Sequence, residues 1–242
     1  MISSEIKSHA VGIKLVLPVL LLAWFAANFI PHIVVYLLTG KIYYRLSPVG
    51  GLLAETSIML LNLCLPFIAY RYLFPEGGSI WKGMGWKWTG WSSIGFGLGG
   101  FIALLAIMVV TQIVFGPPIG GGGMKLNVFE FVWTLLLMLV LTALSEEMMF
   151  RGFLQTVLTQ SSGAWVGVLL PVVLFGLRHL PMDIYNGLQQ GAAPAAWASR
   201  MAQLYATALL MGFVRHKAGS TWATWIMHEC LLCLIIVLGL LQ

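Results

Sequence analysis

The sequence predicts an all-α, polytopic membrane protein of about seven to eight transmembrane helices, with a polar cluster inside the bundle. Composition is the first reason: 60% of the 242 residues are hydrophobic, 9% are charged, and mean hydropathy is +0.92. A water-soluble domain carries roughly 25% charged residues, so this chain lacks the polar surface to cover a globule. Pattern is the second: the apolar residues form unbroken runs of helix-spanning length, not the short alternating strands of an outer-membrane barrel. Charge is the third. Thirteen basic residues and a net charge of +5 are too sparse for a nucleic-acid surface but suit cytoplasmic loops beside lipid headgroups. The bilayer is the expected partner, and nucleic acid is not.

Taken in order, the apolar runs lie at roughly 13–38, 52–74, 92–115, 127–149, 164–181, 195–214 and 219–241. The first is too long for the apolar core of a cleavable signal, and Pro31 is expected to kink it. Residues 81–91 interleave Trp81, Trp86, Trp88 and Trp91 with Lys82 and Lys87, which reads as an interfacial belt. Gly95, Gly97, Gly99 and Gly100 permit close helix packing in the third run. Residues 116–123, a Gly-Pro-Pro-Ile-Gly-Gly-Gly-Gly stretch, cannot be helical. Ser161-Ser162-Gly163 is the natural turn between runs four and five. Residues 182–194 read as a loop or short interfacial helix. Cys64, Cys230 and Cys233 sit inside apolar runs and do not form a disulfide framework.

Orientation follows from the basic residues. With seven spans, Lys7, Lys14, Arg71, Lys82, Lys87, Arg215 and Lys217 share the N-terminal side, against Lys41, Arg45 and Lys125 opposite. The bias places the N-terminus in the cytoplasm, and the cell membrane is the expected location.

Charges inside apolar helices are functional candidates by default. Glu147 and Arg151 stand four apart and are expected to pair. Glu146 lies about 100° round the same helix with no partner four residues away, as a carboxylate that could hold a water as general base. Arg178 and His179 close an otherwise apolar run. Glu146 is about 16 residues before the Ser161–Gly163 turn and His179 about 17 after it, so in an antiparallel hairpin both sit ~24 Å from the turn. His228 is about 11 residues past the basic turn Arg215–Lys217, or ~16 Å deep. Two carboxylates, an arginine and two histidines could ligate zinc, but the zinc signature His-Glu-x-x-His is missing. They could equally run carboxylate-activated hydrolysis: Glu146 taking a proton from water, His179 placing that water, His228 donating to the oxyanion. No nucleophile elbow exists for a serine mechanism. No metal and no cofactor is expected.

These residues resemble the CAAX protease and bacteriocin-processing family of intramembrane proteases. The family carries Glu-Glu-x-x-x-Arg, then Phe-x-x-x-His, then His-x-x-x-Asn or Asp on successive helices. Here Glu146-Glu147 with Arg151 make the first motif, Phe175 with His179 the second, and His228 begins the third. Leu232 stands where the third motif has Asn or Asp. The resemblance covers about 140–235 and implies a metal-free glutamate peptidase, its site opening toward the cytoplasm. It implies Glu146, Glu147, Arg151, His179 and His228 as catalytic residues. Phe175, Tyr185 and Asn186 are the expected substrate-binding residues, the last two as polar donors in the stretch after His179.

Residues 1–125 are expected to be accessory transmembrane helices and 126–242 the catalytic helical core. The expected function is intramembrane cleavage of a peptide or protein substrate. A second reading is a non-catalytic immunity or scaffold protein that binds a peptide, for which Leu232 is the support. A transporter would need polar groups spread along a path and broken half-helices.

Overall fold

A computed structural model of the chain describes residues 17–30, 33–34, 36–37, 40, 48–75, 78–119 and 128–240. The expectations at Pro31 and Gly120–Gly123 lie outside them. Among the described residues all regular structure is helical. The helices are α1 (Leu17–Ile30), α2 (Pro48–Leu73), the short α3 (Ile80–Gly83) and α4 (Trp91–Phe115). A long helix α5 then runs from Val128 to Ser162, followed by α6 (Ala164–Gln189), α7 (Pro194–Ala218) and α8 (Thr221–Leu240).

Local chemistry sets the breaks. Gly163, at φ +90°, turns the chain between α5 and α6, and Gly219, at φ +63°, ends α7 in the left-handed region, where glycine pays no Cβ penalty. Pro194 opens α7, where its missing N–H costs nothing. Helix α5 is not uniform. It widens over Leu137–Thr142 and Glu147–Leu154, where backbone bonds reach five residues back: Ala143 N–H to Met138 O and Gln155 N–H to Phe150 O. Such π-helical turns are rare and concentrate at functional positions.

Among the described residues, four helices are long and apolar enough to cross a membrane: α2 over Glu55–Leu73, α4, α5 over Phe131–Ser162, and α6 over Ala164–Leu188. Helix α1 and residues Thr221–Val237 of α8 are shorter apolar helices. Helix α7 is equally long but more polar, carrying Arg200, Gln203, Arg215, His216 and Lys217. The chain is an integral membrane protein, and the exposed aliphatic side chains of α4 (Ile102, Val109, Val110, Ile113, Val114) suit contact with lipid.

Packing makes two groups. Helices α4, α7 and α8 pack together around Leu104, Met211, Ala223 and Met227. A Cβ on Gly97 would stand 2.9 Å from Ala223 O, and one on Gly100 2.8 Å from Met227 Sδ, whereas Gly95 and Gly99 face open space. The second group centres on α5: Trp24 of α1, Leu73 of α2, Phe175 of α6 and Leu204 of α7 meet Phe150, Phe153 and Leu154. Asn28 and Asn62 join α1 to α2 by reciprocal amide bonds of 2.9 and 3.0 Å.

Two expectations need correction. Residues 182–194 are not a loop or separate interfacial helix: α6 continues to Gln189, and only a tight turn around Gly191 (φ +58°) precedes α7. The helix persists because the polar Asp183 finds a partner on α7 rather than solvent. The tryptophan belt is also only partial. Trp88 and Trp91 are exposed, but Trp86 is buried against Trp222 and Trp225. The cause is the turn at Gly85 (φ +78°), whose carbonyl accepts the Thr221 N–H at 2.8 Å and ties the segment inward to the start of α8.

Candidate active site

The polar cluster forms where α5, α6 and α8 meet. The π-helical turn of α5 begins at Glu147, so Glu146 and Glu147 leave the helix on different sides, both buried. Glu147 pairs with Arg151, Nη1 to Oε1 at 3.3 Å. Arg151 is itself buried, with its guanidinium 4.8 Å from the Phe175 ring centroid and one N–H directed to Ala208 O at 3.4 Å. A buried charge pair survives only when such added contacts satisfy it.

His228 of α8 reaches both carboxylates. Its Nδ1 lies 3.1 Å from Glu147 Oε1 and its Nε2 lies 3.8 Å from Glu146 Oε2. An ionised carboxylate only accepts, so Nδ1 carries the proton of the Glu147 bond. Thr224, one turn earlier and fully buried, also interacts with Glu147.

The α6 contribution begins with Arg178. Glu146 is not unpaired: Arg178 donates to its Oε1 from across the α5–α6 hairpin. Spacing along one helix does not reveal this pair, because the partner lies 32 positions away and the hairpin brings it close. The available signal was a second arginine ending an apolar run. His179 follows. Its Nδ1 bonds Phe175 O at 2.9 Å. A carbonyl only accepts, so Nδ1 donates and Nε2 is left with a lone pair. His179 also lies within electrostatic reach of Glu146, Arg178 and Arg200.

The residues expected to bind substrate are placed differently. Phe175 is buried, its ring 4.7 Å from His179 and 5.1 Å from Phe150. It steadies Arg151 and His179. Tyr185 and Asn186 stand on helix α6 itself, half-buried, and no described contact joins them to Glu146, Glu147 or His228. Leu232 is buried one turn beyond His228. Ser145 is fully buried, and its hydroxyl donates back to Thr142 O at 3.1 Å. Among the described residues no group of three His, Cys, Asp or Glu side chains is arranged to hold a metal ion. The cysteines are free.

Helices α5 to α8 also carry a match to known sequences. Residues 128–231 fit the family described as type II CAAX prenyl endopeptidase Rce1-like. This stretch resembles the CAAX protease family. The matched residues begin with α5 and end within α8, so they include every member of the buried cluster. The CAAX protease family is one of proteases, and its defining stretch here is the part of the chain that gathers the carboxylates. Comparison with curated proteins and with solved structures finds no match.

Proposed function

We propose that the protein is an intramembrane endopeptidase that cleaves a peptide or protein substrate with water activated by Glu146. The observation that carries this reading is the convergence of Glu146, Glu147 and His228 from α5 and α8, with Arg178 and His179 from α6 beside them. Residues 126–242 form the catalytic core and 1–125 the accessory helices, with the N-terminus on the cytoplasmic side of the cell membrane.

The chemistry follows from which atoms are engaged. Arg178 holds Glu146 Oε1, leaving Oε2 to accept a proton. Oε2 and His228 Nε2, 3.8 Å apart, can share one water at about 2.8 Å from each. Water attacks the scissile carbonyl carbon while its proton passes to Glu146. His179, accepting through Nε2, orients that water. The carbonyl electron pair moves to oxygen, and His228 donates to the oxyanion. With Nδ1–H already given to Glu147, donation from Nε2 requires the imidazolium form. Collapse of the intermediate breaks the C–N bond. Glu146 returns its proton to the leaving nitrogen, giving a carboxylic acid and an amine.

The test is a library of fluorogenic peptides in detergent, with and without a prenyl tail, against wild type and Glu146→Gln. Removing a general base costs about 10²–10⁴ in rate, so cleavage should vanish from the mutant while the protein still folds. Undiminished turnover would remove Glu146 from its role. Leu232 favours one other reading, a non-catalytic protein that binds a peptide without cutting it. No cleavage by folded wild type would select that one.

A further inference from the structure

The mechanism uses one terminal nitrogen of Arg178, the Nη1 that holds Glu146 Oε1. The other, Nη2, donates to the Met59 sulfur at 3.3 Å. Met59 stands on α2, outside the residues that match the family, and only 2% of its surface is exposed. Ser145 Oγ lies 3.3 Å from the same sulfur. The Ser145 proton is directed to Thr142 O at 3.1 Å, a stronger acceptor than a thioether, so Arg178 is the donor that Sδ accepts. An accessory helix thus touches both the residue before Glu146 and the cation that pairs with Glu146.

The sulfur is held in place from two directions. One turn earlier on α2, Thr56 accepts the Trp133 Nε1–H of α5 at 3.2 Å. One turn later, Asn62 makes its reciprocal bonds with Asn28 of α1. Thr56, Met59 and Asn62 are spaced three apart, so they follow one another along one side of α2. These bonds set the rotation and depth of α2 at the site.

The consequence lies in the form of the Arg178–Glu146 pair. Arginine and a carboxylate frequently make two parallel bonds, one to each oxygen. That fork would engage Glu146 Oε2 as well as Oε1. Here Nη2 is turned onto sulfur, Nη1 bonds the carboxylate through Oε1, and Oε2 faces His228 Nε2 across 3.8 Å. A thioether is a weak acceptor, but this one is buried and already in position.

We infer that Met59 is a positioning residue: its sulfur holds Arg178 in a singly bonded pairing with Glu146, so that Oε2 stays open to the attacking water. This rests on the peptidase reading above. It makes α2 a working part of the site, although α2 lies outside residues 126–242.

Two variants of the full-length protein test the role in the fluorogenic peptide assay. Met59→Leu removes the sulfur and nearly conserves the volume, a swap that cores tolerate. Its kcat should fall about three- to tenfold, the worth of one net hydrogen bond, with KM and the unfolding midpoint nearly unchanged. Met59→Gln places an oxygen acceptor at similar reach and should recover kcat. A residue that served packing alone would lower the midpoint instead, and an acceptor would not restore the rate. Wild-type kcat in Met59→Leu overturns the proposal, as does a folded Met59→Gln no faster than Met59→Leu. If Met59→Gln does not fold, Met59→Leu decides: a fall in kcat at unchanged midpoint supports the role, and a fall in both overturns it. Failure of the peptidase reading is seen separately, as no cleavage by folded wild type.

Discussion

Glu146 is buried on α5 beside Arg178 of α6. A carboxylate without a neighbour on its own helix reads as unpaired, yet Arg178 holds it from the facing helix. Removing one member of a buried pair leaves an uncompensated charge and costs about 3–5 kcal/mol. Arg178→Gln should therefore lower the unfolding midpoint as well as activity, with Arg178→Lys recovering part of both. A variant that lost activity with an unchanged midpoint would show that Arg178 serves the reaction alone. The same cost applies to Arg151→Ala, because Glu147 is fully buried. Leu232 gives the opposite test. If the missing Asn or Asp weakens oxyanion binding, Leu232→Asn should raise turnover toward the ~10²-fold worth of one such donor. No gain in steady-state rate would mean that another donor already serves.

Among the elements, α4 shows how the spacing of small residues becomes packing. Four glycines look equivalent in sequence, but only Gly97 and Gly100 face neighbouring helices. Gly97→Leu should destabilise strongly, because the backbone carbonyl of Ala223 cannot move aside, while Gly99→Leu should leave the melting temperature nearly unchanged. Equal effects in a detergent melt would contradict the packing of α4 on α8. The α5–α6 hairpin was legible because Ser161-Ser162-Gly163 is plain turn chemistry. The extent of α6 was not, since the polar residues 183–190 resemble a loop until Arg200 supplies a partner. An indole beside lysines suits the membrane interface, but the turn at Gly85 sends Trp86 inward.

For the molecule as a whole, the path of α6 fixes the topology. Ser162 and Ala192 flank it, and its 26 residues extend ~39 Å, enough to cross a bilayer. Cysteines introduced at Ser162 and Ala192 should react with an impermeant maleimide from opposite faces of the membrane, Ser162→Cys from the cytoplasm. Labelling of both from one face would make α6 a re-entrant element and upset the proposed orientation. The pattern also bears on the site, which lies deep in the fold where α5, α6 and α8 converge.

The amino-acid order alone determined the helical membrane class, most of the helix positions and the residues worth suspecting. Those rest on local quantities: apolar run length, turn chemistry, and the expense of a charge among aliphatic neighbours. Only the tertiary structure decided the partners. Arg178 with Glu146, His228 with Glu147 and Arg200 with Asp183 join positions 32, 81 and 17 residues apart. Helical periodicity sets which residues share a face of one helix, whereas the rotation and depth of one helix against another arise from packing, which has no signature in local spacing.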